Sequence, residues 1–202
     1  MYFMLVRFDE EDQFQFGSTT GLDLESGFDY QVRSVVKLAF DEVLVLLEVR
    51  PVNGAPAHLS LLKILYNETT PFPELLWQKE VPVDVARDVT VRNLLPTVDG
   101  HYLIVGSVEE MPGAGAYDPL LVKVDASGEI LWSRSYTGDT DERGQQVVAM
   151  PGGFMLLADR VLSPAEHRAV LLRTGPDGNL QWSLNASGDQ SDRSFDLART
   201  HD

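Results

Sequence analysis

Two hexapeptides, GDTDER at 138–143 and GDQSDR at 188–193, align position for position. Asp139, Asp141 and Glu142 in the first, and Asp189 and Asp192 in the second, are hard oxygen donors. A Ca²⁺ ion takes about six to eight such oxygens. The carboxylates are sparser than in a dedicated calcium loop, and no glycine stands where that loop needs its sharp turn. Aspartates that accept backbone N–H bonds in a connection explain the same pattern. The sequence therefore implies no cofactor, with Ca²⁺ as the one metal these loops admit. Three arginines, Arg87, Arg143 and Arg193, each open an apolar run. Gathered at one channel mouth, they would grip a carboxylate or sulfate bidentately. Pairing with the adjacent acidic loop, for example Arg143 with Asp139 or Asp141, is the simpler use. The histidines (58, 101, 167 and 201) are scattered. His58 and His167 fall at similar places in different repeats, too far apart for one metal. No Gly-x-Ser-x-Gly turn marks a serine nucleophile, and no carboxylate pair for glycoside hydrolysis singles itself out among 31 acidic residues.

Composition narrows the field. Of 202 residues, 44% are hydrophobic, which suits a globular chain. The formal net charge of −15 opposes phosphate backbones and anionic lipid, so no nucleic-acid partner is expected. Cysteine is absent, which excludes disulfides and thiol chemistry. No apolar run is long enough to span a membrane as a helix, so no membrane insertion is expected. The opening MYFMLVRFDE lacks a basic segment followed by an apolar one. Export would thus use another route or a signal outside this chain.

What must position these residues is a repeat. Trp77, Trp132 and Trp182 mark successive copies, and LVRFDEEDQFQFGS aligns with LVKVDASGEILWSR so that Phe16 takes the tryptophan's place. A basic residue precedes the anchor at a fixed distance in three copies (Arg7, Lys123 and Arg173); in the second, Lys63 does so across a longer turn. Each copy resolves into four short runs, a to d. The clearest are GQQVVAM (144–150), GFMLLADRV (153–161), RAVLLRT (168–174) and NLQWSLN (179–185). Turns rich in Gly, Asp and Pro divide them, as expected of antiparallel strands. Runs b and c (YLIV, FMLL, PLLV) are apolar at every position. A strand with one wet face alternates, so these strands need cover on both faces. Four-stranded sheets packed face to face around an axis supply it. Residues 38–50 (LAFDEVLVLLEVR) have helix-forming content, but the register puts a turn at Asp41-Glu42 and a strand after it. The repeat explains the tryptophan spacing, which favours packing over a sugar platform.

The expected fold is an all-β propeller of four-stranded antiparallel blades, as one segment over 1–202. Its repeats are 1–20 (partial), 28–82, 87–137, 143–186 and 193–202 (partial), fifteen strands in all. The next b strand would begin near position 204, so the reading is an incomplete ring, completed by a longer polypeptide or a partner.

DPLLVKVDASGEILWSRSYTGD, followed by VVAMPGGFMLLA, resembles the bacterial extracellular β-propeller repeats of the quinoprotein-like (PQQ-like) group. The resemblance is good over about 97–202, weaker over 58–96 and faint over 1–50. It implies a repeat scaffold, often secreted or surface-attached, with Trp132, Trp182, Trp77 and Phe16 packed between blades. No quinone or metal site is carried over. The functional expectation is a non-catalytic binding or scaffold module of a larger exported protein, with contact made by the b-to-c loops at 50–58, 110–119 and 162–167. The alternative is a glycan-active hydrolase or lyase with carboxylates at the channel mouth, an analogy drawn from fold alone.

Overall fold

The structure is a computed structural model and describes residues 2–8, 14–21, 25–39, 41–65, 73–83, 87–138, 140–185 and 196–198; for 2–21 and residue 39 it describes backbone only. These residues hold fourteen strands and no helix. Strands β1 (Tyr2–Phe8) and β2 (Phe14–Gly21) form a two-stranded hairpin. The first four-stranded sheet contains β3 (Phe28–Ala39), β4 (Glu42–Pro51), β5 (His58–Leu65) and β6 (Glu74–Val81). The second contains β7 (Val89–Pro96), β8 (Tyr102–Glu109), β9 (Tyr117–Val124) and β10 (Ile130–Ser135). The third contains β11 (Asp141–Met150), β12 (Gly153–Ser163), β13 (Glu166–Thr174) and β14 (Leu180–Asn185). Each is an antiparallel meander whose spatial order follows the chain.

Residues 38–50 form the end of β3, a turn at Asp41 and strand β4. Tertiary packing overrides the helical content, because Leu44, Leu46 and Leu47 all reach complete burial in the sheet. The expected fifteenth strand is not found at 196–198, which lie in no strand, and the rest of 193–202 falls outside the described residues.

Strand alternation assigns the faces. On β4, Leu44 and Leu46 turn toward the second sheet, while Val45, Leu47 and Val49 turn away with Phe28 and Tyr30. On β8, Ile104 and Val108 meet the first sheet, while Leu103 and Val105 meet the third. Both parities are buried, which is why these runs are continuously apolar. Burying each such leucine or isoleucine contributes roughly 1.5–3 kcal/mol. The cores are thus seams between sheets. Strand β7 lies against β3, β4 and β5, and β11 lies against β7, β8 and β9. The opening strand of each sheet also carries a register shift, between Val32 and Ser34, Val91 and Asn93, and Gly144 and Gln146. The extra residue bends the strand and frees a backbone N–H from the ladder.

Candidate interaction surface

The polar links across the two seams repeat in register. The residue after each register shift joins a ladder. Ser34 Oγ donates to Asn93 Oδ1 at 3.0 Å, Asn93 Nδ2 to Gln146 Oε1 at 2.7 Å, and Gln146 Nε2 to Asp196 Oδ1 at 3.0 Å. Each acceptor oxygen also takes the N–H of the following residue: Leu94, Val147 and Leu197. Two residues earlier, the Val91 N–H donates to Glu48 Oε2 at 3.2 Å and the Gly144 N–H to Ser107 Oγ at 3.1 Å. Where each sheet is entered, Asp88 Oδ1 accepts the Ala57 N–H at 2.9 Å and Asp141 Oδ1 the Tyr117 N–H at 3.1 Å.

Trp77 and Trp132 sit in the same seams. A methyl group added to Gly128 would lie 3.3 Å from the Trp77 ring, and one added to Gly178 would lie 2.7 Å from the Trp132 ring. Both glycines have positive φ, 85° and 78°, in the turn that opens the last strand of the next sheet. Trp132 also tilts against Phe154, with ring centroids 6.1 Å apart. The basic residue that precedes each anchor lies directly across from it: Lys63 from Trp77, Lys123 from Trp132, Arg173 from Trp182, and by backbone register Arg7 from Phe16. It pins the first turn of its own sheet. Lys63 pairs with Glu42 at 2.8 Å, Lys123 with Asp99 at 2.6 Å, and Arg173 Nη2 donates to the Pro151 carbonyl at 2.6 Å. The hydrogen bond from Lys123, with one from Thr97, holds the Asp99 carboxyl far below the usual carboxylate range.

Trp182 has no described sheet to pack against. It is 45% exposed on the last strand of the third sheet. The Phe16 side chain lies outside the described residues.

The remaining expected site residues do not converge. Arg143 makes a bidentate contact with Asp141, Nη2 to Oδ2 at 2.9 Å, and its guanidinium lies 5.0 Å from the Tyr117 ring centre. Arg87 Nη1 donates to the Glu109 and Glu110 carbonyls at 3.3 and 3.5 Å. Arg143 thus pairs with the adjacent acidic strand residue and Arg87 with loop carbonyls; Arg193 lies outside the described residues. Asp141 and Glu142 are successive strand residues and point to opposite faces. Glu142 is buried against Arg160, Oε1 to Nε at 2.7 Å. Asp139, Asp189 and Asp192 lie outside the described residues. Among the described residues, no group of three or more His, Asp or Glu could hold a metal. His58 packs edge-on against Phe28, His101 meets Asp99 and His167 meets Asp159; His201 lies outside the described residues. No described helix is long and apolar enough to cross a membrane, which leaves β-barrel spanning untouched.

No protein-family model matches this chain, and no curated protein matches it significantly.

What the antiparallel meanders do bring together are the loops from the second to the third strand of each sheet, along one edge. Val52 (75% exposed), Met111 (61%) and Leu162 (46%) stand in or beside these three loops. Beneath them, Arg50, Asp88, Glu109, Pro56, Pro112 and Gly113 line a cleft of about 390 Å³ between the first two loops. Asp88 ties its floor together, accepting from Ala57 N–H, from Tyr117 Oη at 2.9 Å and from Arg50 Nη1 at 3.4 Å. Burial pushes the Asp88 carboxyl up, but the donors outweigh it and the net shift is downward. The Tyr117 phenol is pushed up to about 12, by burial first and then by its hydrogen bond to Asp88. The sequence signalled these loops by their length and Pro/Gly content. It did not signal the cleft, because Asp88 and Tyr117 are 29 residues apart and belong to separate runs.

Proposed function

We propose that the three sheets are blades of a β-propeller segment resembling the quinoprotein-like repeats, and that the chain is a non-catalytic binding or scaffold module of a larger exported bacterial protein or complex. Support for the propeller arrangement comes from the repetition of the same cross-seam links at both seams, with the opening strands β3, β7 and β11 touching in succession. The observation that carries the binding reading is the row Val52, Met111 and Leu162. Three successive sheets each expose a large apolar side chain on the same edge. Apolar side chains kept in water along one rim, beside a cleft whose polar groups are already paired, suit docking of a protein surface. The rigid sheets below hold the loops in place, the usual arrangement for contact surfaces on repeat scaffolds.

Photo-crosslinking residues at Val52 and Met111, in the protein expressed in its native host, test this reading. Both positions are expected to trap the same partner, and Val98 on the opposite edge none. A crosslinker at Leu162 is expected to trap it too, and replacing 52–56 and 111–115 with tight turns is expected to abolish that adduct while circular dichroism and Tm stay unchanged. An adduct that persists after loop replacement, or that forms equally at Val98, overturns the rim as the contact surface.

A further inference from the structure

The face of the third sheet that turns away from the second presents the groups that complete both seams. Phe154, Leu156 and Ala158 face the second sheet, so Met155, Leu157 and Asp159 face outward. By strand register, Asp159 is the counterpart of Glu48 and Ser107, the residues that accept a backbone N–H from the next sheet. Its side chain is nine-tenths buried, and its Oδ1 has no hydrogen-bond partner. An orphaned carboxylate oxygen in such a place is costly and calls for a donor. Trp182 stands exposed where Trp77 and Trp132 are partly buried in a seam. Asp196 carries the polar ladder one step further, and the Leu197 N–H bonds to it as Leu94 and Val147 bond to Asn93 and Gln146.

We propose that this face docks a further four-stranded sheet of the same repeat, whose opening strand is the segment carrying Asp196. The incoming sheet donates a backbone N–H to Asp159 Oδ1 and lays a positive-φ glycine under Trp182. Continuity with the two existing seams specifies the occupant: a generic apolar partner satisfies Trp182 but not the ladder and the carboxylate together. The proposal rests on the propeller reading for its repeat geometry.

The offset of 50 between Gln146 and Asp196 sets the register of the test. A copy of residues 153–185 is joined directly after Asp202, with the tryptophan of the copy changed to phenylalanine. Both chains are labelled with 5-fluorotryptophan, and the Trp182 resonance is assigned by Trp182→Phe. In the 202-residue chain the Trp182 resonance is expected to show a full H₂O/D₂O isotope shift. In the extended chain that shift is expected to fall to the level of Trp132. Trp182→Ala is expected to leave Tm unchanged in the 202-residue chain and to lower it by about 4 °C or more in the extended one. An unchanged isotope shift and a neutral Trp182→Ala in both chains overturn the proposal. Loss of the isotope shift in the 202-residue chain with rising concentration, accompanied by a dimer mass, overturns it in favour of a second copy. Small-angle scattering of the extended chain separates the two readings. A docked but straight stack of sheets defeats the propeller and keeps this contact; a curved arc with Trp182 still in water does the reverse.

Discussion

The two seams perform one task with different residues. Between the first and second sheets, the bulged strand's N–H is met by the carboxylate of Glu48, which is fully buried. Between the second and third, a serine hydroxyl suffices. Backbone separation accounts for the difference. A methyl group on Gly144 would fall 2.2 Å from the Gly106 carbonyl oxygen, so the second seam brings main chains almost into contact and a short side chain reaches. At the first seam Val91 stands at the position of Gly144 and Leu47 at that of Gly106, and the longer carboxylate spans the gap. The buried charge then requires counterions. Arg50 Nε at 2.8 Å and Arg33 Nη2 at 3.2 Å supply them. One seam is closed by electrostatic pairing and the other by the absence of side chains.

Breaking each seam at its own device should show this asymmetry. Glu48→Ala removes the acceptor of the Val91 N–H together with the partner of Arg33 and one of the two partners of Arg50, and is expected to cost about 3 kcal/mol in urea unfolding, more than Ser107→Ala. A smaller loss, close to that of Ser107→Ala, would show that the carboxylate serves only as a hydrogen-bond acceptor. Gly144→Ala should cost about 1–3 kcal/mol, because backbone faces the new methyl group and cannot rotate aside. Ser107→Ala should cost about 1–3 kcal/mol by leaving the buried Gly144 N–H without a partner, with hydrogen exchange rising at Gly144 and not at Val91.

The smallest effects belong to the rim. Asp88 is depressed in the folded state, so its contribution is present above its unfolded value near 3.8 and is lost as pH falls through the lower folded value. Tyr117 is raised, so its contribution is full below its unfolded value of 10.0 and is lost as pH rises toward about 12. Tyr117→Phe should therefore flatten the Tm profile between pH 10 and 12 and shrink, without abolishing, the acid limb, because Asp88 loses one donor and keeps Ala57 and Arg50. A profile unchanged on that alkaline limb would remove the Tyr117–Asp88 bond from the account of the first seam.

Much of this molecule is local chemistry. The cadence of strands was readable because glycine-bearing turns and runs of Leu and Val act over a few residues. The continuous apolarity of 103–105 and 120–122 announced that both faces of β8 and β9 would be covered. The constant distance from Lys123 to Trp132 and from Arg173 to Trp182 was equally visible, and strand pairing explains it as a direct cross-strand contact. The helix-forming content of 38–50 was the misleading signal, since propensity yields to burial.

Tertiary structure alone decided which groups meet. Glu48 and Val91 are 43 residues apart, Ser107 and Gly144 are 37 apart, and no periodicity in the chain couples them. It also separated three tryptophans that look alike in sequence. Trp77 and Trp132 are covered because a sheet follows each, while Trp182 faces water. A strand's pattern records that its faces prefer to be buried. Which surface arrives to bury them is set by the distance between main chains and by donors and acceptors far away along the sequence.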